Sequence, residues 1–148
     1  MRITSCGMTD VGLKRGHNED NYLINEELNL FVVADGMGGH AGGEYASAIA
    51  VNTVEEIVTS LEVDGLPTGD DEEVTDPVEI TRHKLTHAIR LAGRRIHEKA
   101  TEQPEYHGMG TTAVVLQVEG SNAYVAHVGD SRLYLLRDGK VEQVTEDH

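Results

Sequence analysis

The sequence FVVADGMGGHAGG, residues 31–43, decides the fold. Its apolar run is typical of a buried strand and ends at Asp35, after which five of the next eight residues are glycine. Glycine serves where the backbone takes a positive φ or passes close to another group. We therefore expect Asp35 to lie at a special corner, where a buried strand leads into the next element.

The chain around this corner contains strands, then two helices, then more strands. Three strands are predicted first, at residues 1–9, 21–25 and 28–35, with a hairpin turn joining the last two. Apolar residues at helical spacing predict a helix over residues 43–61 and a second helix after an acidic loop at residues 62–78. The apolar face of the second helix holds Leu85, Ala88, Ile89, Ala92 and Ile96, and its basic side, interpreted as solvated, holds Arg90, Arg94, Arg95 and Lys99.

From Gly110 onward the pattern returns to strands. The segments TTAVVLQVEG, NAYVAHVGD, RLYLLRDG and KVEQVT follow one another, and RDGK at residues 137–140 predicts a hairpin between the last two. This order of elements predicts an α+β fold in which helices pack on antiparallel sheets. The length of 148 residues fits one domain.

The composition argues against several classes of protein. Against 12 Lys and Arg stand 26 Asp and Glu, a net charge of −14, which is unsuited to binding nucleic acid or anionic membranes. No apolar run is long enough to span a bilayer, and the first residues lack the apolar region of a secretory signal. The single cysteine, Cys6, excludes an internal disulfide and a cysteine zinc site. We therefore expect a cytoplasmic protein that binds cations.

Carboxylates stand at the ends of three apolar segments, in RGHNED at residues 15–20, ADGMGG at 34–39 and HVGDSR at 127–132. Carboxylates at neighbouring strand ends can converge, and they repel each other unless a cation or a proton neutralises them. Oxygen ligands suit Mg²⁺ or Mn²⁺ better than they suit zinc. The sequence therefore favours a site for a hard divalent cation; the alternative is that each acid only caps a turn.

Arg15 adds chemistry to this hypothesis, because an arginine beside carboxylates and metals can hold an anion, most simply a phosphate. No covalent nucleophile is evident, so metal, arginine and phosphate together indicate hydrolysis by metal-activated water.

A rival interpretation makes the glycines a nucleotide-binding loop. That interpretation is weaker, because the stretch lacks the Lys-Ser/Thr ending of a P-loop and Asp35 precedes its glycines.

The motifs RGHNEDN, VVADGMGGHAGGEYAS, MGTTAVV, AHVGDSRLYLLRDG and TEDH occur in this order. In this combination the chain closely resembles, from residue 1 to residue 148, the bacterial branch of the metal-dependent type 2C protein phosphatases (the PPM family). The resemblance implies a four-layer α-β-β-α fold, a β-sandwich flanked by helices. It also implies two Mn²⁺ or Mg²⁺ ions, with a third in bacterial members, and hydrolysis of phosphoserine and phosphothreonine in proteins that a serine/threonine kinase phosphorylates.

The resemblance also implies roles for single residues. Asp35 matches the carboxylate that bridges both metals, while Glu19 and the backbone carbonyl of Gly36 belong to the shell of one of them. Asp20 is expected to support bound water through a hydrogen bond. Arg15 matches the arginine that binds the substrate phosphate.

Three further positions complete this comparison. Asp130 matches a ligand of the additional metal site in bacterial members. Met37 stands where eukaryotic relatives have the histidine assigned as general acid, so the proton donor is left open. His40 is a candidate for contact with the substrate phosphate; the alternative is that it is a bystander in the glycine-rich loop.

The family pattern continues past TEDH into further elements and two more metal-binding aspartates. The resemblance therefore implies that residues 1–148 form the N-terminal part of one catalytic domain, apparently truncated, with weakened metal binding and exposed apolar faces that promote self-association. Two other functions stay open: an inactive fragment or regulatory module that binds phosphoproteins without turnover, and a cation-binding protein without hydrolysis.

Overall fold

The computed structural model describes residues 1–39, 41–60 and 76–148. Its elements, in chain order, are β1 (Asp20–Asn25), β2 (Leu30–Met37), α1 (Ala41–Thr59), α2 (Pro77–Glu102), a 3₁₀ turn (Pro104–Tyr106), β3 (Gly110–Thr111), β4 (Ala113–Glu119), β5 (Asn122–Val128), β6 (Tyr134–Arg137) and β7 (Lys140–Gln143). No helix within the described ranges is long and apolar enough to cross a membrane.

The strands form an antiparallel sheet and a separate hairpin. In the sheet the order is β1-β2-β4-β5, and the short β3 pairs with the far end of β2. The hairpin joins β6 to β7 through Asp138 and Gly139, which have φ of 51° and 73° as a primed two-residue turn requires. The predicted hairpin at residues 137–140 is thereby confirmed.

Both helices contribute to the core on one face of the sheet. Alternate residues of β2 point to that face, and Leu30, Val32 and Ala34 are buried there. They join one hydrophobic cluster with apolar residues of α1 and α2, among them Val54 and Leu85. The intervening β2 residues lie on the opposite face. Asp35 belongs to this second set, so the helices pack away from its side chain.

The α+β class with helices on antiparallel sheets is confirmed. The described residues form one helical layer and one main sheet, which are two layers of the four that the family fold comprises. The helix predicted over residues 43–61 is found as α1, displaced by two residues towards the N-terminus. Most of the predicted acidic loop at residues 62–78 lies outside the described residues.

Three predictions need correction. Residues 1–9 are not a strand: no neighbouring strand among the described residues pairs with them, and alternation without a partner does not make a ladder. Pro77 and Val78 belong to the first turn of α2 and not to a loop, because Asp76 caps the helix by accepting a hydrogen bond from the Val78 N–H at 3.1 Å. Arg95 is not simply solvated, since it pairs with Glu56 of α1 at 2.6 Å.

Candidate metal and phosphate site

A cavity of about 370 Å³ lies where β2 ends and α1 begins. It is lined by Arg15, Glu19, Asp35, Gly36, Met37, Gly38, Thr112 and Asp130. A larger cavity of about 590 Å³ lies between α2 and β5, but its lining mixes aliphatic residues with two arginines, a histidine, a threonine and a tyrosine, and includes no carboxylate. We therefore identify the smaller cavity as the candidate site, because the acidic corners and Arg15 converge there.

Strand register brings the acidic residues to this end of the sheet. Asp20 lies directly opposite Asp35 in the β1–β2 ladder. On the other side of β2, the Gly36–Thr111 and Val33–Val114 pairs keep one register, which places Thr112 opposite Asp35. Asp20, Asp35 and Thr112 therefore lie side by side across the sheet, at the end where the cavity opens.

Glu19 shows the clearest sign of a ligand site. Its Oε1 atom is buried and has no hydrogen-bond partner among the described residues. Its backbone carbonyl is held firmly, since it accepts hydrogen bonds from Ser47 Oγ at 2.7 Å and from the Gly36 N–H at 3.3 Å. A buried carboxylate oxygen without a partner is costly unless a cation or a donor reaches it. The Glu19 carboxylate therefore fits a metal ligand.

Two glycines make room for this carboxylate. A Cβ atom on Gly43, in the first turn of α1, would overlap Glu19 Oε1, and a Cβ on Gly36 would overlap the Gly43 carbonyl oxygen. Gly38 and Gly39 take φ of 129° and 66°, values that side chains disfavour, as β2 turns into α1. The glycine-rich corner thus brings strand, helix and Glu19 into contact, as its sequence predicts.

The pKa of Asp35 is raised above its ordinary value. The largest cause is partial burial of the carboxyl, followed by a hydrogen bond with the Asp20 side chain and by the negative charges of Asp20 and Asp130; the positive charge of Arg15 acts in the opposite direction. Asp20 and Asp130 are therefore each close enough to Asp35 to repel its carboxylate. A divalent cation among these oxygens would relieve the repulsion.

Arg15 brings positive charge to the acidic cavity. Its side chain lines the cavity beside Glu19 and Asp35 and is otherwise exposed, so its guanidinium can meet a ligand that enters from solvent. A planar fork of N–H donors suits a tetrahedral oxyanion such as a phosphoryl group. The cavity therefore combines oxygen ligands for cations with a donor for an anion.

Asp130 reaches the cavity from the turn after β5. Gly129 opens this turn with a φ of 93° and donates its N–H to His148 Nδ1 at 3.2 Å. Farther along, Arg132 pairs with Asp147 at 2.7 Å. The TEDH motif therefore packs against the GDSR motif.

Some of the predicted site residues converge less closely than others. Asp20 contacts Asp35 but does not line the cavity. Within the described parts of the chain, no three His, Cys, Asp or Glu side chains converge as a closed metal-binding cluster. The site is thus open, with ligand oxygens on separate walls. His40 lies outside the described residues.

Thr112 lines the cavity and Ser47 holds the backbone of Glu19, although the sequence singled out neither of them. Ser47 is fully buried and donates a hydrogen bond to the backbone carbonyl of Glu19. The hydroxyl of Thr112 accepts a hydrogen bond from the backbone N–H of Asp35. The motifs MGTT and EYAS contain these residues, so the family resemblance included them without assigning a role. Their place inside these motifs is the signal that could have identified them.

Comparisons with known proteins give matches over most of the chain. The family model of protein phosphatase 2C matches residues 14–148. Protein phosphatase PhpP of Streptococcus pneumoniae is 37% identical over 144 residues, which are 95% of this chain and 53% of the relative. Serine/threonine protein phosphatase PstP of Mycobacterium tuberculosis is 36% identical over 139 residues, 94% of this chain and 24% of the relative. This chain thus spans about half the length of the first of these relatives and less of the second.

Solved structures of phosphatases also resemble this chain. The catalytic domain of PstP in complex with two manganese ions superposes with a TM-score of 0.73 at 36% identity, covering 93% of this chain and 53% of that one. Serine/threonine phosphatase Stp1 from Staphylococcus aureus superposes with a TM-score of 0.74 at 32% identity, covering 95% and 52%.

Proposed function

The chain belongs to the protein phosphatase 2C family, in its bacterial branch, and from this membership we propose that it carries part of the catalytic site of an enzyme that hydrolyses phosphoserine and phosphothreonine in proteins. Residues 1–148 then form the N-terminal part of a single catalytic domain. The substrates would be phosphoproteins made by a serine/threonine protein kinase in the same cytoplasm. The relatives, which are named as protein phosphatases, support this function.

The observation that carries the proposal is the buried, unpartnered Oε1 of Glu19 in a cavity shared with Asp35 and Arg15. An ordinary acidic turn would leave such an oxygen in water or bonded to a backbone N–H. Here the buried oxygen fits a ligand to a cation, and the nearby arginine distinguishes a phosphate-processing site from simple cation storage.

We propose that Glu19, Asp35 and the Gly36 carbonyl hold Mn²⁺ or Mg²⁺, with Asp130 as a ligand of an additional ion. When bound, these ions would supply charge neutralisation and a water of lowered pKa for attack on phosphorus. Asp20, whose side chain contacts Asp35, would support such a water through a hydrogen bond. Its proximity to Asp35 keeps a second carboxyl available to accept a proton from that water.

Arg15 binds and orients the substrate in this proposal. Its guanidinium donates hydrogen bonds to two phosphoryl oxygens and so aligns the phosphorus with the carboxylate wall. Met37, which also lines the cavity, has no proton to give, so the leaving serine or threonine oxygen takes its proton from solvent or from another residue.

The test is Mn²⁺-dependent hydrolysis of a phosphothreonine peptide by the natural protein that contains these residues, and by this chain alone. We expect Asp35→Ala to abolish turnover, because it removes the central carboxylate. We expect Arg15→Ala chiefly to raise KM, because it removes a phosphate contact. Arg90→Ala, which removes an arginine from α2 outside the site, is the matched control and should leave both constants unchanged.

The results separate the proposal from its rivals. Full activity in Asp35→Ala would contradict the assignment of the site. Binding of the phosphopeptide without turnover in the natural protein would favour a regulatory phosphoprotein-binding module. Tight Mn²⁺ uptake with no effect of Arg15→Ala on phosphopeptide use would favour cation binding without hydrolysis.

We further propose that this chain associates with itself in solution. Tyr22 and Val33, on the strands that flank the site, are 41% and 52% exposed although both are large and apolar. Sedimentation velocity of the 148-residue chain should show species larger than a monomer at micromolar concentration. A single monomeric boundary would contradict this part of the proposal.

A further inference from the structure

Thr112 holds the backbone of Asp35 from the neighbouring strand position. Its Oγ1 accepts the Asp35 N–H at 3.0 Å, and its own N–H donates to the Asp35 carbonyl at 2.9 Å. Thr112 is only 4% exposed and lines the candidate cavity. This residue therefore uses a side-chain hydroxyl where a regular ladder would use a backbone carbonyl.

The same hydroxyl continues to the turn that carries Asp130. Thr112 Oγ1 and Ser131 Oγ lie 2.6 Å apart, a strong hydroxyl–hydroxyl hydrogen bond. The methyl group of Thr112 packs on the other side of that turn, because a Cβ on Gly129 would meet Thr112 Cγ2 at 2.7 Å. Hydroxyl and methyl of one side chain thus contact the residues on both sides of Asp130.

We propose that Thr112 and Ser131 are positioning residues, which form a hydroxyl bridge that fixes the separation of the Asp35 and Asp130 carboxylates for divalent cations. The inference rests on the proposed metal-dependent function. Asp35 and Asp130 are carried by different elements and repel each other, so without a tie they would move apart. The bridge opposes this movement by holding the backbone of Asp35 and the turn that carries Asp130.

The physical role of such a bridge is that of an outer hydrogen-bonded shell around metal ligands. Loss of an outer-shell partner typically lowers metal affinity by about 10- to 100-fold, because the ligands keep their identity but lose their fixed placement. The effect differs from loss of folding, because apolar residues such as Leu30, Val32 and Val54 form the core on the helix side of the sheet.

The experiment compares four variants with the parent chain by Mn²⁺ calorimetry and amide hydrogen exchange. Thr112→Val keeps the shape and removes the hydroxyl, whereas Thr112→Ser keeps the hydroxyl and removes the methyl. Ser131→Ala cuts the bridge at its other end. Thr111→Val is the matched control, because the Thr111 hydroxyl donates to the Thr112 carbonyl at 2.8 Å and does not contact Asp35.

We expect Thr112→Val to weaken Mn²⁺ binding by about tenfold or more and to speed exchange of the Asp35 amide by about tenfold, the effect of one lost hydrogen bond. Thr112→Ser should restore both to near the parent values, and Thr111→Val should change neither. Ser131→Ala should weaken Mn²⁺ binding while the Asp35 amide stays protected, because Thr112 still accepts its N–H.

Each result decides something. Unchanged Mn²⁺ affinity in Thr112→Val, or in Ser131→Ala should the valine variant not fold, would overturn the bridge while the proposed function stands. Equal loss in Thr112→Val and Thr112→Ser, with faster exchange at the core amides of Val32 and Val115, would reduce Thr112 to a structural residue and also overturn it. An absence of Mn²⁺ binding in the parent chain would instead overturn the proposed metal dependence, and the bridge proposal with it.

Discussion

The Glu19 carboxylate has room only because glycines stand at two neighbouring positions. The carboxylate occupies the space in which a side chain on Gly43 would lie, and Gly36 lets β2 approach the first turn of α1 equally closely. These two glycines are therefore required for close approach and not for unusual φ, in contrast to Gly38 and Gly39. A ligand residue can thus be disabled without being mutated.

Gly43→Ala is the first prediction at this scale. The new methyl group would displace the Glu19 carboxylate, so we expect Mn²⁺ affinity to fall by about 10- to 100-fold, as for loss of ligand placement. Isothermal calorimetry measures this. Gly42→Ala is the matched control, since a Cβ there would lie at an ordinary 3.4 Å from Met109 Cβ. Equal affinity in both variants would contradict the role given to Glu19.

The pKa of Asp35 provides the second prediction. Asp130→Asn removes a negative neighbour and should lower the pKa of Asp35, whereas Arg15→Gln removes a positive neighbour and should raise it further. Carboxyl ¹³C chemical shifts of the metal-free chain, followed against pH, measure both changes. Shifts of the opposite sign would show that these side chains do not share the cavity.

The sign of the linked stability effect follows from the same shift. Because the folded state holds the Asp35 proton more tightly than the unfolded state, the metal-free chain loses stability from this group as pH rises from its ordinary pKa of 3.8 through the raised value. Below that window Asp35 is protonated in both the folded and the unfolded state, so this loss of stability does not occur. A bound cation would remove this cost by neutralising the carboxylate.

Single residues differ in how far the sequence predicts them. Asp35, Glu19 and Asp20 were predictable because acids at the ends of apolar strands are unusual and a glycine-rich corner marks the place. The pairing of Thr112 with Asp35 was not predictable from spacing, since the two residues are 77 positions apart and meet only through strand register. Short-range patterns carry no information on which distant hydroxyl faces a given backbone N–H.

At the scale of elements, the start of α2 shows how a local signal is read. Asp76 followed by Pro77 is a cap followed by a favoured first helical residue, which outweighs the acidic, loop-like composition before it.

In the N-terminal residues 1–9, by contrast, the local pattern predicted an element that does not form. Their bonds to the rest of the fold run through side chains, such as Ser5 Oγ to Glu26 at 3.1 Å, and alternation alone did not reveal this.

Asp76→Ala gives a prediction for this helix. The Val78 N–H loses its side-chain acceptor, so the free energy of unfolding should fall by about 1 kcal/mol. Asp76→Asn keeps an acceptor and serves as the control. Urea unfolding followed by circular dichroism measures both variants. Equal stability of the alanine variant and the parent chain would mean that the cap contributes nothing to the fold.

At the scale of the whole molecule, charge is the dominant feature. The 26 acidic residues outnumber the 12 basic ones, so the folded chain repels itself at low ionic strength. Sodium chloride at physiological strength shortens the range of this repulsion to roughly 8 Å. We therefore expect the melting temperature to rise when salt is added, by about 2–4 °C for each kcal/mol gained.

Differential scanning calorimetry of the metal-free chain at low and physiological salt measures this effect. An uncharged osmolyte at equal osmolality is the control, since it acts on hydration without screening charge. A melting temperature that falls with salt would indicate that attractive ion pairs, such as Arg95 with Glu56, outweigh the net repulsion.

The fold class was predictable at this scale because the hydrophobic pattern of the sequence predicts the order of strands and helices. The layering was predictable only through the family resemblance, because no local pattern states which face of a sheet a later element covers. Helices cover the face formed by Leu30, Val32 and Ala34, and Asp35 lies on the other.

The strand register described above also bears on the order in which the chain folds. Asp20 and Asp35 belong to the β1–β2 hairpin and Glu19 directly precedes it, so their contacts close short loops and should form early. Thr112 and Asp130 join only after a much longer loop has closed. We therefore expect the acidic half of the cavity to form before the half that Thr112 and Asp130 contribute.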